Sequence, residues 1–225
     1  AYNKHRTLPA VQIPHGEINR SASDPIEIPA TFSKAFAGQL LLADNNGTRI
    51  TRIMLDEVNG ELQGSCTHFI QGEGLRSGNN RLRFSPDGKS LYVGQTVRGW
   101  GKHSEGLQRI TTTGKNPCDI TAIKLTKAGF RLTFSEALPK EAIKKDNFSF
   151  ESFTYQSKWT YGSDMEDKKK HSVTSLRAVD SNSVELELDA LEAGRIYRLK
   201  LQDFDSAFGA TLHNRTFYYT ANHIR

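Results

Sequence analysis

The sequence predicts an all-β chain in two parts, a pair of repeated antiparallel meanders followed by a small two-sheet sandwich. Three observations carry this reading. Apolar and polar residues alternate in short runs, without the spacing of an amphipathic helix. Turn-forming pairs separate the runs, among them Asn46-Gly47, Asn59-Gly60 and Asp87-Gly88. The pattern also restarts after about forty residues, a period typical of propeller blades.

Residues 1–37 read as an irregular connecting segment, because Pro9, Pro14, Pro25 and Pro29 interrupt them and no apolar period persists. Leu40-Leu41-Leu42-Ala43 is a short buried strand. Thr48 to Leu55 alternates with β-branched residues, and Leu62 to Ile70 completes a meander. The second copy begins at Arg81-Leu82-Arg83-Phe84. It turns through Ser85-Pro86-Asp87-Gly88-Lys89, where Pro presets φ and Gly accepts φ > 0. Ser90 to Gly94 and Gly106 to Ile110 are its other strands. Residues 38–115 are thus two propeller-like meanders.

Thr113 to Asp119 reads as a linker, and 116–225 as the sandwich. Ile120–Leu125 and Phe130–Phe134 are strands, and Pro139 to Lys145 forms one helical turn with Pro at its first position. Asn147 to Tyr155, Ser172 to Val179, Ser183 to Leu188, Ile196 to Leu201 and Phe217 to Thr220 bring the strands to seven. Seven short strands with turns between them suit an immunoglobulin-like sandwich, without the Cys…Trp…Cys core of antibody domains. The mixed run Asp164 to Lys170 reads as a solvated loop.

Composition narrows the function. No run reaches the roughly eighteen apolar residues of a membrane helix, so no membrane span is expected. The 30 Lys and Arg against 25 Asp and Glu give a net charge of +5, spread thinly. With no basic stripe or recognisable module, nucleic-acid binding is not expected. With no secretory signal read at the start, the chain is expected to be cytosolic or already processed, and a first residue of Ala rather than Met favours processing or trimming. Cys66 and Cys118 either pair, if the protein is exported, or are two core thiols. The seven histidines show no metal-binding spacing. Asp44-Asn45-Asn46-Gly47 and Asp203-Phe204-Asp205 cluster oxygens that could attract calcium but read as turns. No metal site is therefore assigned.

Two groups could bind a ligand. The loop Arg98-Gly99-Trp100-Gly101, with His103, offers a planar cation for carboxylates and a ring face for a sugar or quinone. Its other reading is structural, with Trp100 filling space between blades. Arg76 and Asn80 precede or open a blade's inner strand, where propellers line their channel, although turn-forming asparagine reads equally well. The second group is Tyr155, Trp159 and Tyr161, whose rings would either stack on carbohydrate or dock the sandwich onto the blades.

The sequence resembles the C-terminal part of exported bacterial glucose/sorbosone dehydrogenase-like, quinone-type β-propeller proteins. The resemblance rests on Gly38 to Asp44, Gly78-Asn79-Asn80-Arg81, Phe84-Ser85-Pro86-Asp87-Gly88 and Val93 through Gly101. It continues at Gly106-Leu107-Gln108-Arg109, Thr113-Gly114-Lys115, Gly129 to Phe134, Phe153-Thr154-Tyr155, Tyr161-Gly162-Ser163 and Tyr218-Tyr219-Thr220. It implies a periplasmic or extracellular protein in which the last blades precede an immunoglobulin-like domain. A closed ring needs at least about four blades, and two are read here. The chain is therefore expected to be a non-catalytic portion of a longer polypeptide, with its sandwich bracing the propeller and contributing at most part of a ligand site. No Cys-x-x-Cys-His is present, so a cytochrome c module would be a partner. Pyrroloquinoline quinone and calcium would belong to the full-length protein, with none held by this chain alone. The alternative is a carbohydrate-binding sandwich whose partner is polysaccharide.

Overall fold

In a computed structural model, the described residues are 7–72, 74–76, 78–96, 105–156, 162–202, 204 and 211–225. The fold is all-β, with three antiparallel sheets, none closed into a barrel. Two compact units are present. One comprises residues 13–54 and 66–116, the other residues 1–12, 55–65 and 117–225. The hairpin tip at 55–65 thus belongs with the C-terminal part of the chain, and Pro117 begins that unit's main stretch.

The first unit holds β1 (Ala22–Glu27), β2 (Leu40–Asp44), the first part of β3 (Arg49–Val58) and the second part of β4 (Glu61–Gln71). These strands are hydrogen-bonded neighbours in that order. A separate sheet runs β5 (Asn79–Phe84), β6 (Ser90–Gln95) and β7 (Gly106–Thr111). Both meanders expected from the sequence are present.

β1 was not expected. The segment read as irregular pairs with β2 from Ala22↔Asp44 to Glu27↔Leu40, with a bulge between Ser23 and Ile26. Pro25 and the left-handed Asp24 (φ 48°) lie within that bulge, which is why alternation fails to show. Residues 28–39 form a closed loop, pinned by Ile28 N–H to Gln39 O (2.8 Å) and Gly38 N–H to Ile28 O (3.0 Å). The loop drops Phe32 and Phe36 into a core with Leu41, Ile50, Leu82, Leu91 and Val93. Burying each such side chain contributes about 2 kcal/mol.

The Asp44 carboxylate organises its turn. Buried, it accepts the backbone N–H groups of Arg20 (3.1 Å), Ser21 (3.1 Å) and Asn46 (3.0 Å). At Gly88 (φ +69°) a Cβ would lie 2.0 Å from Thr31 Oγ1, so the predicted turn needs glycine for both conformation and space.

The second unit contains β8 (Ile120–Leu125), β9 (Gly129–Phe134), β10 (Phe148–Thr154), β11 (Glu166–His171), β12 (Val173–Ala178), β13 (Ser183–Leu188), β14 (Arg195–Leu201) and β15 (Thr216–Ala221). One sheet runs β12-β13-β9-β8, and the other continues from β4 through β15, β14 and β10 to β11. Phe130 joins the two layers, stacked on Phe150 (5.6 Å) and edge-on to Tyr197 (5.5 Å) and Tyr219 (5.1 Å). This is the sandwich that the alternating runs predict. The helical turn after Pro139 is a 3-10 turn, Lys140–Ala142.

The Lys168-Lys169-Lys170 run corrects the loop reading. It lies in β11, paired with β10 from Phe150↔His171 to Thr154↔Glu166. A strand at a sheet edge buries little, so charged residues can replace the apolar alternation that marks inner strands. Cys66 and Cys118 are each buried within their own unit.

Candidate functional site

Of the first predicted group, Arg76 and Asn80 are described, and Arg76 lies among polar side chains of the β5–β6–β7 sheet that bind one another. Gln95 Nε2 donates to Gln108 Oε1 (2.7 Å), Asn79 Oδ1 (2.9 Å) and Arg76 O (3.1 Å). Arg76 donates its N–H to Gln108 Oε1 (2.9 Å) and its Nη1 to Glu105 O (2.8 Å). Asn79 Nδ2 donates to Gly47 O (3.0 Å). Asn80 Oδ1 accepts from Arg81 Nη1 at 2.5 Å. Arg76 is exposed, but its guanidinium is tied to the loop preceding β7. This geometry fixes the turns and strand ends of the sheet.

Arg98, Trp100 and His103 lie outside the described residues, as do Trp159 and Tyr161 and the Asp203 and Asp205 carboxylates. Tyr155 is half-buried, its ring edge-on to Phe153 at 5.4 Å.

Sequence reading missed a second constellation, in the second unit. Ser152 Oγ lies 2.7 Å from His171 Nε2, and His171 Nδ1 lies 3.3 Å from Asp189 Oδ1. The order serine, imidazole, carboxylate is that of a hydrolase triad. Two facts turn it to another use. Ser152 is 0% exposed, so no substrate carbonyl reaches its oxygen. That oxygen also accepts from Arg195 Nε (2.7 Å), which fixes it from the opposite strand.

Arg195, itself buried, pairs with Asp167 through Nη1 (2.6 Å) and donates Nη2 to the Asp167 carbonyl. Lys169 adds a 3.0 Å pair to Glu192. The network ties β14 through β10 to the edge strand β11. The Arg195 hydrogen bond holds the Asp167 carboxyl below its ordinary value. A backbone bond from Ser172 does the same for Asp189, and the Lys169 hydrogen bond for Glu192. These residues are scattered through the sequence without a motif, and only strand pairing gathers them.

A third buried group lies around Asp56. Its Oδ2 accepts from Tyr219 Oη (2.7 Å) and from Leu125 N (2.8 Å), and Gln63 Nε2 donates to Tyr219 Oη (2.9 Å). Burial pushes the Tyr219 phenol well above its ordinary value, and the adjacent carboxylate adds to the shift.

Among the described residues no three His, Cys, Asp or Glu side chains are grouped to hold a metal ion. Arg76 is bonded to the loop before β7 and Asn80 to the neighbouring Arg81. No protein-family model matches the chain, and neither a curated protein nor a solved structure matches it.

Proposed function

We propose that the chain is a non-catalytic, scaffolding portion of a longer exported sugar-dehydrogenase-like protein. Its two meanders would supply blade structure, and its sandwich would serve as a rigid supporting module. The observation that carries this reading is the polar network around Arg76, a described member of the predicted ligand group. Arg76, Asn79, Gln95 Nε2 and Gln108 donate to or accept from one another and loop carbonyls. Side chains used in this way position backbone, whereas a ligand site keeps donors and acceptors free to converge on its ligand.

A quinone-dependent sugar oxidation would draw its reacting groups from elsewhere in the longer polypeptide, and no chemical step is assigned to these residues. The test has two parts. The native protein should have an intact mass well above 25.2 kDa. That longer protein, supplied with pyrroloquinoline quinone, calcium and a sugar panel, should reduce a dye acceptor. A native mass equal to that of this chain, or an intact longer protein that reduces no dye, refutes the proposal.

A further inference from the structure

We propose that the outer edge of β7 is a docking edge for one extended, acidic polypeptide strand supplied by a partner. The inference stands on sheet geometry and does not depend on the function proposed above.

The described sheets end in six strands, and five of these carry an irregularity. β1, β11, β12, β8 and β5 each shift register against their neighbour. Bulges of this kind spoil an edge as a template for further pairing. β7 pairs with β6 without a break, from Ser90↔Thr111 to Gln95↔Gly106. It contains no proline and no lysine.

The opposite edge of the same sheet is closed by side chains. Asp24 Oδ2 accepts the Leu82 N–H of β5 at 2.6 Å, and Ser23 Oγ donates to Asn80 O at 3.2 Å. The β7 edge has no such cover among the described residues.

Its open groups can be identified. Thr112 N–H donates to Lys89 O, on the β6 side. Backbone direction alternates along a strand, so Leu107, Arg109 and Thr111 direct their N–H and C=O groups away from β6. Their side chains all lie on the exposed face, with Leu107 72% exposed, whereas Ile110 packs against the core.

Charge selects the occupant. The exposed face of this sheet carries Arg81, Arg83 and Arg109, and β5, β6 and β7 together contain no Asp or Glu. Arg83, Tyr92 and Arg109 form one row across the three strands. An added strand would place a residue beside Arg109 in that row, and an acidic one suits it. A second copy of β7 supplies none. In an antiparallel self-pair, Arg109 meets Arg109, Leu107 or Thr111. On the inner face, an apolar residue would lie beside Ile110.

The test uses the full chain and two synthetic peptides of about eight residues, alternating valine with glutamate or valine with lysine. The glutamate peptide should bind, and on binding should slow amide exchange at Leu107, Arg109 and Thr111. Arg109→Pro removes an outward N–H without touching a β6 bond, and should weaken binding at least about tenfold. Its urea midpoint should stay at the wild-type value. Arg109→Glu should transfer the preference to the lysine peptide. Unchanged binding by Arg109→Pro, no protection at the three amides, or a homodimer formed through β7 would each overturn the proposal.

Discussion

Replacing Asp56 by alanine should destabilise the second unit by about 3–4 kcal/mol, by the following accounting. The carboxylate is 2% exposed and accepts two short bonds at one oxygen, from Tyr219 Oη (2.7 Å) and Leu125 N (2.8 Å). Hydrogen bonds to a charged group are each worth about 1.5–3 kcal/mol, and removing the acceptor strands a buried phenol and a buried amide. The Lys124 ion pair (3.3 Å) is half-exposed on the lysine side and adds less than about 1 kcal/mol.

Asp56→Asn keeps an oxygen for both donors and should lose about half as much. Tyr219→Phe removes the same bond from the other side, so a double-mutant cycle should give a coupling of about 1–2 kcal/mol. Urea unfolding followed by circular dichroism measures the loss, and amide exchange at Leu125 reports it locally. A D56A protein within about 0.5 kcal/mol of wild type, with Leu125 still protected, would refute the reasoning.

Other outcomes follow from the same structure. The Asp167, Asp180, Glu185, Asp189 and Glu192 carboxyls lie below their ordinary values of 3.8 for Asp and 4.5 for Glu. The leading causes are hydrogen bonds from Arg195, the Asn182 backbone, Arg131, the Ser172 backbone and Lys169, respectively. Their stabilisation is present above those ordinary values and is lost as pH falls through the lowered ones, so melting temperature should hold above about pH 5 and drop below about pH 4. Ser152→Ala should cost about 2–3 kcal/mol by stranding Arg195 Nε, while hydrolysis of a simple phenyl ester stays at background. An ester activity that disappears with Ser152 would contradict the structural role. The Cys66 thiol, raised by full burial, should react with a thiol reagent at pH 8 only after unfolding. Gly129→Ala would bring a Cβ to 2.1 Å from the Leu186 carbonyl, so the β9–β13 pairing should break and urea unfolding shift by more than about 2 kcal/mol.

The sequence by itself determined the β class, the two meanders and the turns at Asp44–Gly47 and Ser85–Lys89. Each rests on local rules, namely alternation on a half-buried strand and the φ values that Pro, Asn and Gly allow. It also marked the inner strands of the sandwich, because burial of one face imposes alternation. Tertiary structure decided what those rules do not reach. β1 and β11 are edge strands, one bulged at Asp24 and Pro25, the other written in lysines, and neither needs an apolar face.

The candidate site shows the same division. Sequence placed Arg76 before a blade's inner strand and Asn80 at its start, but only the fold bonded Arg76 to the loop before β7 and Asn80 to Arg81. The Ser152–His171–Asp189–Arg195 and Asp56–Tyr219 groups arose where distant strands paired, and their members share no spacing. Hydrogen-bond partners, burial and the open β7 edge are properties of which strands become neighbours. Long-range pairing fixes those neighbours, and a local pattern does not encode it.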